Sequence, residues 1–110
     1  MKPLTKSLRE ANRYILFEIK SLEPVSFSQL EKAAFVTFTE WIGKFNLGRY
    51  DISFVKEQYK YPRGIIVTNA KGVSEVRAAL ALISEIGGAA VSVETVLTSG
   101  TLKKLKEMLK

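Results

Sequence analysis

Arg13-Tyr14-Ile15-Leu16-Phe17-Glu18-Ile19-Lys20 alternates with a period of two. Ile15, Phe17 and Ile19 fall on one side and Tyr14, Leu16 and Glu18 on the other, the pattern of a strand with one face in a core. Downstream, Pro24 ends this strand, and Ser26 or Ser28 can cap a helix after it. Phe27, Leu30, Ala34, Phe38, Trp41, Ile42 and Phe45 then recur at steps of three and four. That spacing predicts one long amphipathic helix whose aromatic stripe lies on the sheet as core. Gly43 lowers its propensity by roughly 1 kcal/mol, and Gly48 is the expected stop.

Asp51 to Glu57 alternates around Ile52 and Phe54, which predicts a second strand. Gln58-Tyr59-Lys60-Tyr61-Pro62 makes a hairpin-like connection to a third, Arg63-Gly64-Ile65-Ile66-Val67-Thr68. From about Gly72 to Ile86 a second helix turns Val73, Val76, Leu80 and Ile83 inward, with Gly87-Gly88 as its end. Val91, Val93, Thr95 and Leu97 alternate as a fourth strand, and Leu102, Leu105 and Leu109, with Met108, form the stripe of a short last helix. The order β-α-β-β-α-β is the α+β, ferredoxin-like (RRM-like) two-layer sandwich, here with an added C-terminal helix. The division expected is a basic arm over residues 1–12, the domain over 13–98 and a basic amphipathic helix over 99–110.

The surplus charge sits at the two ends. Residues 1–13 carry Lys2, Lys6, Arg9 and Arg13 against Glu10, and residues 99–110 carry Lys103, Lys104, Lys106 and Lys110 against Glu107. Each end contributes half of the formal net charge of +6, so the body between them is neutral. Such a layout suits gripping a polyanion, most often nucleic acid, although terminal lysines also serve solubility alone.

The 110 residues contain no cysteine and no histidine. Disulfides, thiol chemistry, the usual general base and the usual nucleophile pairs are therefore excluded. Carboxylates are spread singly, with no cluster resembling a magnesium site, which argues against catalysis by this chain on its own. No apolar run approaches a membrane span, and the first residues lack a signal-peptide core, so a soluble, cytoplasmic protein is expected.

RNA-recognition motifs share this fold and stack bases on aromatics of the central strands. Here Ile65 and Val67 stand where rings would be needed, and Tyr14 is the only aromatic on the first strand's outer face. An apolar, non-aromatic outer face suits packing against the last helix or a partner subunit. Tyr59-Lys60-Tyr61-Pro62-Arg63 interleaves rings with cations at a loop tip, a pattern open to an RNA grip or to an ordinary hairpin.

The last helix is the sharper signal. At about 100° per residue, Lys103, Lys106 and Lys110 fall within an arc of about 60° beside the leucine stripe. Ahead of them, the hydroxyls of Ser99 and Thr101 and the free N–H groups of a helix start offer a phosphate seat. Lysines late in a helix also suit its dipole, Ser99 can be a plain N-cap, and a basic amphipathic helix can lie on a membrane.

In order, Arg13-Tyr14-Ile15-Leu16-Phe17, Arg63-Gly64-Ile65-Ile66-Val67, Val76-Arg77-Ala78-Ala79-Leu80-Ala81-Leu82-Ile83-Ser84-Glu85-Ile86-Gly87-Gly88 and Thr95-Val96-Leu97-Thr98-Ser99-Gly100-Thr101-Leu102-Lys103-Lys104 resemble the archaeal ribonuclease P protein component 2 family, related to a subunit of eukaryotic ribonuclease P and its mitochondrial-RNA-processing relative. The resemblance implies a non-catalytic, RNA-binding subunit of an endoribonuclease that removes 5′ leaders from precursor tRNA. Hydrolysis would be performed by the ribonuclease P RNA with its bound Mg²⁺, and this chain would hold no cofactor or metal. It would pair with a barrel-shaped protein subunit, with no membrane role. The RNA contacts expected are Lys103, Lys104, Lys106 and Lys110 with Ser99 and Thr101, and Arg9, Arg13 and Arg63 as further anchors. The alternative is a ferredoxin-like assembly or effector-binding module with no specific RNA function.

Overall fold

The computed structural model describes residues 12–109. The expected N-terminal arm lies outside the described residues, apart from Asn12, the first residue of β1 (Asn12–Lys20). Strands β2 (Ser53–Phe54), β3 (Arg63–Asn69) and β6 (Ser92–Ser99) join β1 in one antiparallel sheet of order β2-β3-β1-β6. Between them run α1 (Phe27–Trp41), α2 (Lys44–Tyr50), α3 (Val73–Ala81) and a small hairpin of β4 (Glu85–Ile86) and β5 (Ala89–Ala90), and α4 (Leu102–Met108) closes the chain. This is the ferredoxin-like arrangement with an added helix. No helix among the described residues is long and apolar enough to cross a membrane.

The period-two reading of β1 holds along its length. Ile15, Phe17 and Ile19 join Leu30, Ala34 and Phe38 of α1, Val76, Ala79 and Leu80 of α3, and Ile66 and Val93 of the neighbouring strands in the main core. α1 starts on Ser26, whose hydroxyl accepts from the Gln29 amide (3.2 Å) while Gln29 Oε1 accepts from the Ser26 amide (3.0 Å), a closed capping box. Phe54 sits at the centre of the aromatic packing, edge-on to Phe17 and Phe27 and stacked on Phe38.

Four expectations are corrected. The long first helix is two helices. Gly43 takes φ of +88°, which no helical residue adopts, so α1 ends before it and α2 starts after it, with Gly48 inside α2. At the break, Trp41 and Phe45 are not core: they are 64% and 76% exposed. The second strand shrinks to two residues, because after the Val55 amide bonds the Ile65 carbonyl the chain turns into a 3₁₀ turn over Lys56–Gln58. The second helix ends at Ala81, and Gly87-Gly88 instead form the tip of the β4–β5 hairpin, with φ of +61° and +83°. Two consecutive positive φ values define a hairpin turn that glycine pairs favour.

The fourth difference decides the second layer. Leu97 pairs with Leu16 while Thr95 pairs with Phe17, so Val96 is an extra residue in β6. That bulge reverses the alternation. Val93 stays in the main core, whereas Leu97 passes to the opposite face and joins Leu16, Ile65 and Leu105 there.

Gly64 is required by the main core rather than by turn geometry. A Cβ there would lie 2.6 Å from Phe17 Cζ and 2.9 Å from Tyr59 Cδ1, and Tyr59 is itself held by its hydroxyl on the Val25 carbonyl. Gly64→Ala is expected to lower stability by about 1–3 kcal/mol, the range for overpacking a filled core. A urea midpoint equal to that of the unsubstituted protein would refute this packing.

Candidate nucleic-acid interface

α4 lies on the sheet face that the two-helix layer leaves free. Leu105 is fully buried against Leu16 and Ile65, ringed by Tyr14, Val55, Leu97, Leu102 and Leu109. The surface on which an RNA-recognition motif would stack bases is thus covered by the chain's own last helix. Tyr14, the one ring on β1's outer face, belongs to that packing. With the leucines turned inward, Lys103, Lys104 and Lys106 stand exposed on the outside of the helix.

A turn over residues 99–101 leads into α4. Its N-cap is Thr101, which makes no side-chain cap bond, and the Thr101 amide donates to Ser99 Oγ at 3.1 Å. The Ser99 hydroxyl and one of the N–H groups at this turn are therefore engaged with each other. Lys110 and Arg9 lie outside the described residues.

Antiparallel pairing brings the start of β1 and the ends of β3 and β6 to one rim. Tyr14 near the start of β1 is opposite Ser99 at the end of β6, and Asn12 is opposite Asn69 at the end of β3. Arg13 sits on this rim, half-buried, with Nη1 donating to the Asn12 carbonyl (3.1 Å). By alternation it belongs to the helix-layer side of β1, so it and the α4 lysines flank the rim from opposite faces. Asn69 Nδ2 donates to the Arg49 carbonyl (2.6 Å), which ties the end of α2 to the same rim. The Arg49 guanidinium lies over the exposed Phe45 ring, 5.6 Å from its centroid. Nothing in the sequence pattern marks Arg49, because a tertiary bond from the Asn69 side chain to α2 carries it there.

Arg63 is turned inward on the chain's own groups. Its Nε donates to Glu18 Oε1 (3.0 Å) and its Nη1 to the Met108 carbonyl at the end of α4 (3.2 Å). The neighbouring loop is an ordinary hairpin: Lys60 and Arg63 exchange backbone bonds, Tyr59 donates to the Val25 carbonyl, and the Tyr61 hydroxyl meets Ser21 Oγ. Among the described residues, no three carboxylates come together in a way that could hold a metal ion.

A ferredoxin-like sandwich whose open sheet face is closed by a short lysine-bearing helix places the chain among small α+β domains of that fold. Comparison with known proteins gives the family within that class. The chain belongs to the Rpp14/Pop5 family, whose model matches residues 13–110. It is 34% identical to ribonuclease P protein component 2 of Thermococcus kodakarensis, over 96% of this chain and 88% of that one. It is 35% identical to the protein of the same name from Methanosarcina barkeri, over 97% of this chain and 78% of that one. In fold it is similar to a chain in the cryo-EM structure of yeast ribonuclease MRP, with a TM-score of 0.68, 16% identity and 94% of each chain covered.

The docking of α4 rests on Leu105. Leu105→Ala is expected to cost about 2–5 kcal/mol of α4 docking, the range for a buried leucine. Amide exchange should accelerate across 102–108 while β1 and β3 stay protected. Uniform acceleration throughout the sheet would show instead that α4 belongs to the main cooperative unit.

Proposed function

We propose that this chain is a non-catalytic, RNA-binding protein subunit of ribonuclease P, acting in the cytoplasm to support RNA-catalysed removal of 5′ leaders from precursor tRNA. The observation that carries this reading is the match, over nearly the whole chain, to archaeal proteins named ribonuclease P protein component 2. It leaves the alternative of an assembly or effector module without support. The absence of histidine and cysteine fits the same role, since the hydrolysis would fall to the RNA and its bound Mg²⁺.

In this reading the exposed Lys103, Lys104 and Lys106 face phosphates, with Lys110, Arg9 and Arg13 as further contacts. Ser99 and Thr101 stand beside the ridge. Lysines set at a folded junction offset phosphate repulsion, so the RNA reaches its active form at lower Mg²⁺.

The barrel-shaped protein partner is assigned to the helix layer. α4 closes the outer sheet face, and the exposed large aromatic groups Phe35, Trp41 and Phe45 are on α1 and α2. Phe35 (67% exposed) borders an open cleft of roughly 360 Å³ with Leu47, Ile52 and Phe54, and Trp41 and Phe45 are exposed on the same two helices. Exposed aromatics of this kind serve as anchors in protein interfaces.

Two measurements check the proposal. Precursor-tRNA cleavage at limiting Mg²⁺ by the cognate RNA and barrel subunit should rise when this chain is added, and no rise with all components folded would remove the assignment. Changing Lys103, Lys104 and Lys106 together to Ala should lower the slope of log affinity against log salt by about 2–3. An unchanged slope with an intact fold would take α4 out of the RNA interface.

A further inference from the structure

Arg63 and Glu18 are directly opposite one another in the β3–β1 pairing, and Glu18 is opposite Glu94 on its other side. The outer face of the sheet therefore carries a row in which two carboxylates are cross-strand neighbours, an arrangement that repels unless each has a cation. Lys20 takes Glu94 at 3.3 Å, and Arg63 takes Glu18 at 3.0 Å. α4 ends over this row. Its last carbonyls, the negative pole of the helix, would lie against the Glu18 carboxylate if Arg63 were absent. Instead the guanidinium stands between them, Nε on Glu18 and Nη1 on the Met108 carbonyl. The planar guanidinium serves both acceptors from separate nitrogens in a fixed geometry, which an ammonium on a flexible stem does not impose.

We propose that Arg63 is a positioning residue, which clamps the C-terminal end of α4 to the sheet and so sets the direction of the lysine ridge, rather than being itself a phosphate contact. The inference rests on the RNA-binding reading of α4. It reassigns an arginine that the sequence places among the RNA anchors, and gives Glu18 a role in the interface without any contact to RNA.

Arg63→Lys and Arg63→Gln separate the two roles. A phosphate contact depends mainly on charge, so Arg63→Lys would bind the cognate ribonuclease P RNA like the unsubstituted protein while Arg63→Gln weakened. A clamp depends on the fork, so both variants should bind about tenfold more weakly, the scale of losing a charge-assisted hydrogen bond. Both should also exchange the amides of 102–108 faster in the free protein, with little change in the global unfolding midpoint. Normal binding by Arg63→Lys, or unchanged exchange of α4 in both variants, would overturn the proposal. Faster α4 exchange together with an RNA affinity that neither variant nor the triple lysine variant alters would keep the clamp but refute its part in RNA binding, along with α4 as the RNA site.

Discussion

Ile15, Leu16 and Phe17 are consecutive in the chain and all fully buried. Successive strand residues point to opposite faces, so β1 can bury all three only if both its faces are covered. The α1–α3 layer covers one. Leu16 then needs a cover on the other, and Leu105 is what the chain supplies, docked on Leu16 and Ile65. Much else depends on this demand. The Val96 bulge turns Leu97 towards the second cluster, the Ser99–Thr101 turn starts the helix at the sheet edge, and Arg63 holds its far end.

Covering that face also decides what kind of RNA contact the domain can make. A sheet with exposed rings reads unpaired bases by stacking, which is tolerant of sequence but needs the rings. Here the middle of the face carries Leu16 and Ile65 under Leu105, with its one ring, Tyr14, taken into the same packing, and what meets solvent above it is a set of ammonium groups. Ammonium groups contact phosphates without reading bases, which is the mode suited to steadying a folded RNA. The comparison with RNA-recognition motifs is one of shared fold with a different working surface.

Much of the fold is legible in the residues, and the failures have physical causes. Strand periodicity locates β1 and β3, and the leucine stripe locates α4, because these elements bury a continuous face. Gly43 reads as a propensity cost, although a glycine in a helical pattern is also free to take a positive φ and end the helix. That choice depends on the tertiary turn into α2. The break redirects the chain before Phe45, which is exposed on α2, whereas Trp41 is already exposed within α1, on the flank of the buried Leu30, Ala34 and Phe38 stripe. Gly87-Gly88 reads as a helix stop, and only the β4–β5 pairing shows the two glycines turning a hairpin. Of the candidate site, the lysines stand out as a charge pattern, whereas Arg63 carries the same composition signal as a phosphate ligand but is turned onto the chain's own groups. Its partners Glu18 and the Met108 carbonyl lie 45 residues away in either direction.

The lysine ridge has no existence apart from the sheet beneath it. α4 has seven residues, well short of the roughly 12–15 that an isolated helix needs to be even marginally stable in water. Its helical spacing, and with it the gathering of Lys103 and Lys106 on one flank, is created by docking Leu102, Leu105 and Leu109. Cations fixed in this way lose less conformational freedom on meeting phosphates than the same residues on a free tail. The second apolar cluster, small as it is, therefore does two things at once. It completes the burial of β1, and it converts a run of basic sequence into a directed surface.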